Sequence, residues 1–243
     1  MPAPLLSIII PVYNEEKTVE ATVRQFAALT IPHEVIVSDS RSKDGTFAIA
    51  KRCADKAIQT ARWDTPGVSH GRNNGAKAAV GEYLVFLDSG DEILDPDAFF
   101  TTALSFFEKN PRLVGLTVRI EVDPRFRTAS DWFIFELMNI WFVLLNNVFR
   151  VGIAAGKFQM VKADAFRRVG GFSERLPAGE DIDFFRRLGT TGKTHITWKL
   201  RVLHSGRRFH QLGAWKTLYR WIKNGLSVWI FKKSADAGWQ PIR

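Results

Sequence analysis

The stretch YLVFLDSGDEI, residues 83–93, decides the fold. Tyr83, Leu84, Val85, Phe86 and Leu87 form an unbroken apolar run, and Asp88, Ser89, Gly90, Asp91 and Glu92 follow at once. A run this short and apolar reads as a strand buried on both faces of a parallel sheet. A strand that ends in acids delivers them to the edge where open α/β sheets bind ligands. Carboxylates there hold a divalent metal, a ribose, or both. Gly90 interrupts the cluster and offers only a backbone carbonyl.

Working outward, the same logic repeats. LLSIIIPV (5–12) is a β-branched run, with Pro11 expected to end it. Val19, Val23, Phe26 and Thr30 recur at helical spacing. HEVIVSD (33–39) reads as a second strand and DKAIQT (55–60) as a weak third, with a helix over 46–53 that Asp44 can cap. GRNNGAKAAV (71–80) is small and helix-compatible. Pro96 suits a first helical position and opens a helix to about Lys109, and LVGLTVRIE (113–121) is a further strand. Repeated β-α-β units predict an α/β fold with a doubly wound, mostly parallel, Rossmann-like sheet. Its ligand edge then carries residues 11–15, 38–44 and 88–92.

The second half differs. DWFIFELMNIWFVLLNNVF (131–149) is densely apolar but interrupted by Glu136, Asn139, Asn146 and Asn147. Such residues sit poorly at the centre of a membrane-spanning helix. An amphipathic helix in a membrane interface, or packed over the acceptor side of a cleft, is expected. A core helix or a homodimer interface is the plainer alternative. GKFQMVKADAFRRVGGF (156–172) reads as strand, helix and Gly-Gly turn. AGEDIDFFRRLG (178–189) places acids at a helix start, and THITWKLRVLH (194–204) is a strand.

The 243 residues suit one large domain, or a domain with an appendage, and carry a net charge of +9. Residues 199–233 hold nine Lys or Arg and no Asp or Glu, interleaved with Trp215, Tyr219, Trp221, Trp229 and Phe231. This composition suits an anionic membrane surface, an ordinary solvated helix face, or a nucleic acid. Cys53 is the only cysteine, which excludes an intrachain disulfide and fits a reducing compartment. The N-terminal stretch shows neither a signal-peptide pattern nor a run long enough to span a bilayer.

Five pieces stand in fixed order: SIIIPVYNEE (7–16), VSDSRSKDGT (37–46), GRNNGAKAAVGEYLVFLDSGDEI (71–93), GKFQMVKADAFRRVGGFSE (156–174) and GEDIDFFRRL (179–188). Together they resemble the inverting family 2 glycosyltransferases of GT-A fold, over roughly residues 5–188. The resemblance implies a GT-A domain over 1–210, with a nucleotide-sugar half (1–120) and an acceptor and catalytic half (121–210). An amphipathic, aromatic-basic helical tail covers 211–243. It also implies roles. Pro11, Tyr13 and Glu15 match the loop that lines the base pocket, although Pro11 and Tyr13 also suit a plain turn. Asp39 matches the acid that meets the base. Ser40 stands where relatives often have a second acid, which leaves UDP and GDP both open. Arg72 and Asn73 match an RN motif, with Arg72 directed at the diphosphate; Asn73 also suits a helix-start hydrogen bond.

Residues 88–91 match the DxD region, with Asp88 on ribose or metal and Gly90 at the usual metal-ligand position. Asp91 is the substitute ligand if Gly90 lets the backbone bend; otherwise Asp91 and Glu92 cap the next helix. His204 is a candidate third ligand for Mg²⁺ or Mn²⁺, or a structural histidine at a strand end. Arg207 and Arg208 suit the diphosphate or a lipid phosphate. Glu180 and Asp181 match the ED motif, in which the Asp is the catalytic base. Asp183 is the rival base or a salt-bridge partner of Arg186 and Arg187. The expected acceptor is a hydroxyl or phosphate, such as a polyprenyl phosphate or glycolipid, met at the cytoplasmic face of a membrane. Two rivals stand outside this reading. A nucleotidyltransferase needs a glycine-rich loop after strand 1, and PVYNEEKTV (11–19) has no glycine. A nucleic-acid-binding protein does not need acid-terminated strands, which repel phosphate, so nucleic acid is not an expected partner.

Overall fold

Four strands, all but the third rich in β-branched or aromatic residues, build one half of a sheet. They are β1 (Leu6–Val12), β2 (His33–Asp39), β3 (Lys56–Gln59) and β4 (Tyr83–Leu87), all parallel to one another. A computed structural model describes residues 3–60 and 68–235. The other half comprises β5 (Leu113–Val122), β6 (Phe158–Lys162) and β7 (Lys193–His204), and the seven strands run in the order β3-β2-β1-β4-β6-β5-β7. β6 alone among them is antiparallel to its neighbours, β4 and β5. The helices are α1 (Val19–Arg24), α2 (Thr46–Cys53), α3 (Ser69–Ala78), α4 (Pro96–Lys109), α5 (Ala129–Val143), α6 (Ala163–Arg168), α7 (Glu180–Leu188), α8 (Arg207–Leu212) and α9 (Ala214–Phe231).

Successive strand residues face opposite sides. Ile8 and Ile10 therefore join one buried cluster with Phe26, Phe99 and Phe100, while Ile9 joins the other with Phe86, Phe166 and Phe184. Helix α3 approaches β1 so closely that a Cβ on Gly75 would lie 2.4 Å from Ile9 Cγ2. Pro11 does not end β1, which continues to Val12. The β1–β4 register stops at Ile9 and Phe86, so the missing Pro11 N–H removes no hydrogen bond to β4.

The apolar stretch after β5 forms α5 and then a π-helical turn, Leu144–Val148. A capping box between Thr128 and Asp131 starts α5. All four polar interruptions turn toward the protein. Glu136 accepts Arg119 at 2.7 Å, and Asn139 bonds both the N–H and the C=O of Ile120. Asn146 engages the Ile153 backbone and Asn147 the Ile196 backbone. Ile134 and Phe135 are buried, but many of the other large apolar residues face outward. Phe133, Leu137, Ile140, Trp141 and Val148 are exposed on this element, as are Trp215, Tyr219, Ile222, Leu226 and Trp229 on α9. Among the described residues, no helix is long and apolar enough to cross a membrane.

Candidate active site

The carboxyl ends of β1 and β4 carry Glu15 and Asp88 into a cavity of about 1470 Å³. The start of β6 and the start of α7 meet them there, because β6 runs the opposite way. Arg72, from α3, is the hub. Its guanidinium donates to Glu180 Oε1 at 2.8 Å, Asp88 Oδ1 at 3.1 Å and the Gly156 carbonyl at 2.8 Å, and lies over the Phe172 ring. The side chain is 2% exposed. Burial opposes its charge, but Asp88, Glu180 and Asp181 outweigh burial and raise its pKa. Arg72 therefore gathers the acids into one constellation. A Cβ on Gly156 would lie 2.8 Å from Arg72 Nη2 and 3.3 Å from Asp181 Oδ2, so the close approach requires glycine.

Glu180 and Asp181 open α7, where the helix dipole favours anions. Burial, then repulsion from Asp181, pushes Glu180 up to about 7 despite Arg72. Burial also raises the Asp181 pKa. Asp181 accepts the Ile182 N–H at 2.8 Å and lines the cavity. Asp183 instead binds Arg187 at 2.7 Å and Arg186 at 3.4 Å, the salt-bridge role expected at that spacing.

Gly90 has φ +85°, and the Asp91 N–H returns to the Asp88 carbonyl at 3.2 Å. This left-handed turn aims both carboxylates at one point, as a glycine permits. Lys157 occupies that point, 3.3 Å from Asp88 Oδ2 and 3.4 Å from Asp91 Oδ1. Asp91 is 3% exposed and its Oδ2 has no hydrogen-bond partner among the described residues. Burial pushes it up to about 8, against the pull of Lys157. Glu15 joins the group through Thr18, which bonds Glu15 Oε2 at 2.7 Å and Ser89 at 2.9 Å, and through Arg207 at 3.4 Å.

A divalent cation fits this donor set. Asp88 and Asp91 converge, one buried Asp91 oxygen lacks a partner among the described residues, and acids crowd the edge. Among the described residues no group of three or more His, Cys, Asp or Glu side chains can hold a metal, so a cation here would take its further oxygens from water or a bound phosphate. His204 fits less well as a ligand. It is 7% exposed, and its Nδ1 accepts the Gly206 N–H at 3.1 Å. Nε2 of the neutral ring then carries the proton and offers a hydrogen bond rather than a lone pair. Burial, aided by Lys157, holds its pKa at about 3.

The remaining expected residues scatter around this centre. Pro11, Tyr13 and Arg208 line the cavity. Asp39 is fully buried and accepts Ser42 Oγ at 2.5 Å and Gln59 Nε2 at 2.9 Å. Gly45, not Asp44, is the N-cap of α2; Asp44, one residue earlier, accepts the Thr46 N–H at 3.0 Å. Among the described residues Asn73 makes no helix-start bond. It donates to the Phe172 carbonyl and accepts the Phe172 N–H, both at 2.9 Å, pinning the Gly170-Gly171 turn. Sequence reasoning gave no role to Lys157 or Gly156. Their place depends on the reversed β6 register, which strand patterning does not reveal.

The tail packs on this site. A Cβ on Gly179, just before Glu180, would lie 2.9 Å from Val228 Cγ2 of α9, and one on Gly225 3.2 Å from Ile182 Cδ1. The cavity extends from Asp181 to Trp141, Leu145 and Phe149 on one side and Trp221, Ile222 and Trp229 on the other.

Residues 7–170 match the sequence profile described as Glycosyl transferase family 2. The chain belongs to that family and is a glycosyltransferase. It is 26% identical over 238 residues to glycosyltransferase AglE of Haloferax volcanii, covering 95% of this chain and 76% of that one. It is 25% identical to poly-beta-1,6-N-acetyl-D-glucosamine synthase of Staphylococcus epidermidis, covering 92% of this chain but only 55% of that protein. In structure it is similar to mannosyltransferase PcManGT from Pyrobaculum calidifontis, solved with GDP-Man and Mn²⁺. The TM-score is 0.72 at 19% identity, over 97% of this chain and 66% of the other. The seven-stranded mixed sheet is thus a GT-A, Rossmann-like α/β fold.

Proposed function

We propose that the protein moves a sugar from a UDP- or GDP-linked donor to an acceptor in one displacement, with inversion at the anomeric carbon and Asp181 as base. The observation that carries this reading is the division of labour at the start of α7. Glu180 is bound to Arg72 and Asp183 to two arginines, while Asp181 lines the cavity close to the Asp88 cluster. Asp181 takes the proton of the acceptor hydroxyl, the acceptor oxygen bonds the anomeric carbon, and the bond to the diphosphate breaks with its electrons. A raised proton affinity suits that role. The leaving diphosphate needs positive charge, which Mg²⁺ or Mn²⁺ held by Asp88 and Asp91 would supply. Arg207, beside Glu15 and near Gly90, and Arg208 face the same edge.

The acceptor in this reading is lipid-linked, a glycolipid hydroxyl whose proton goes to Asp181 or a polyprenyl phosphate whose already anionic oxygen attacks directly, and the protein works peripherally at the inner face of a membrane. Three features support it. The outward apolar stripes of α5 and α9 flank one cavity that reaches Asp181, basic residues are interspersed along α9, and the polar groups of the apolar stretch turn inward. An Asp181→Asn variant tests the base. We expect it to fold and bind the donor nucleotide while transfer falls by about 10²–10⁴-fold. Full transfer by that variant would sink the assignment.

A further inference from the structure

No role falls to Lys157 from the family resemblance, yet it stands at the centre of the ligand edge. The β4–β6 register pairs Leu87 with Phe158, so residue 157 comes opposite Asp88, and the Asp88 N–H approaches the Lys157 carbonyl at 3.4 Å. The Lys157 side chain is 33% exposed while that of Asp91 is 2% exposed. Its two contacts, 3.3 and 3.4 Å, are longer than the 2.8 Å bond of Arg72 to Glu180. Charge-assisted N–H···O bonds usually measure about 2.7–2.9 Å. Arg72 is thus a fixed charge, and Lys157 is a loosely held one on a flexible stem.

We propose that Lys157 is an internal counter-cation. In the nucleotide-free protein its ammonium holds the point between Asp88 and Asp91 that a divalent cation shares with the donor's diphosphate. When the donor binds, Lys157 passes from the carboxylates to the diphosphate. This rests on the donor and metal reading above. A free divalent cation arriving alone must displace an ammonium and finds too few protein ligands. A diphosphate brings both the missing oxygens and a new partner for Lys157. Cation and nucleotide then favour each other's binding reciprocally. When the nucleoside diphosphate leaves, the returning ammonium competes for the carboxylates and favours release of the cation.

The test compares wild type, Lys157→Met and Lys157→Arg. Mn²⁺ binding to the nucleotide-free protein is read by electron paramagnetic resonance, and UDP and GDP binding with Mn²⁺ by calorimetry. Couplings between sites commonly span about 5–150-fold. We expect nucleotide-free Lys157→Met to bind Mn²⁺ about tenfold or more tightly than wild type, and to bind the preferred nucleotide with Mn²⁺ about tenfold more weakly. Lys157→Arg should stay near wild type in both. A purely structural role would weaken both ligands together and lower Tm. Unchanged or weaker Mn²⁺ binding by nucleotide-free Lys157→Met would overturn the proposal. If wild type bound neither nucleotide, with or without Mn²⁺, the donor reading itself would fail and this proposal with it. If nucleotide bound but Lys157→Met changed nothing, only the role of Lys157 would fail.

Discussion

Replacing Arg72 by Met keeps much of the side-chain volume and removes the charge that gathers Asp88, Glu180 and Asp181. The guanidinium is buried, bonds two carboxylates at 2.8 and 3.1 Å, and acts on the third through space. Removing one partner of a buried ion pair costs about 3–5 kcal/mol. Asp88 keeps Lys157 and its side chain is 28% exposed, so the lower end, about 3 kcal/mol, is expected near pH 8. The cost should depend on pH. Burial and Asp181 already raise Glu180 from its ordinary 4.5 to about 7, and loss of Arg72 raises it further. A carboxyl whose pKa is raised in the folded state stabilises the fold fully below its unfolded pKa, and that contribution is lost as pH rises through the folded value. The deficit of the variant should therefore be smallest near pH 5 and largest by pH 8. Urea unfolding followed by tryptophan fluorescence, for both proteins at both pH values, measures it. An equal deficit at pH 5 and pH 8, or one below about 1 kcal/mol at pH 8, would refute the electrostatic argument and leave only packing.

Two further perturbations separate chemistry from surface. Gly156→Ala should fold with a loss of about 1–3 kcal/mol, yet slow transfer by more than about 10²-fold, because its Cβ presses on Arg72 Nη2 and Asp181 Oδ2; a wild-type turnover number would show that this spacing is not critical. Exchanging Trp215, Tyr219 and Phe231, which are 71%, 67% and 68% exposed, for Ser should reduce partition onto anionic vesicles by at least about tenfold without lowering Tm. Binding by wild type should weaken as salt rises. Absence of wild-type binding at physiological salt would remove the membrane from the proposal.

The parallel half of the sheet was legible because its strands are short apolar runs bounded by turn residues, as at 33–39 and 83–87. Pro96 likewise marks the start of α4 correctly. Pro11 misled because proline punctuation is read without knowing where the neighbouring strand stops. The acids at 88, 91, 180 and 181 were recognisable as motif residues, and the structure brings all four to one cavity. What remained hidden was pairing. Nothing in GKFQMVK reveals that its strand runs backwards between β4 and β5, so neither the steric role of Gly156 nor the position of Lys157 could be read. The four polar residues of 131–149 read as interruptions of an apolar face. In three dimensions they satisfy backbone and side-chain groups of the adjoining strands and loop.

The ion pair between Glu15 and Arg207 joins positions 192 residues apart, and Arg72 reaches Glu180 across 108. Contacts of such separation carry a large loop-closure cost and form slowly. During translation the segments that hold Glu15, Arg72 and Asp88 leave the ribosome long before α7 and α8. Until they arrive Arg72 has Asp88 but not Glu180, and Glu15 lacks Arg207, so the ligand edge becomes a defined site only when the last third of the chain has docked.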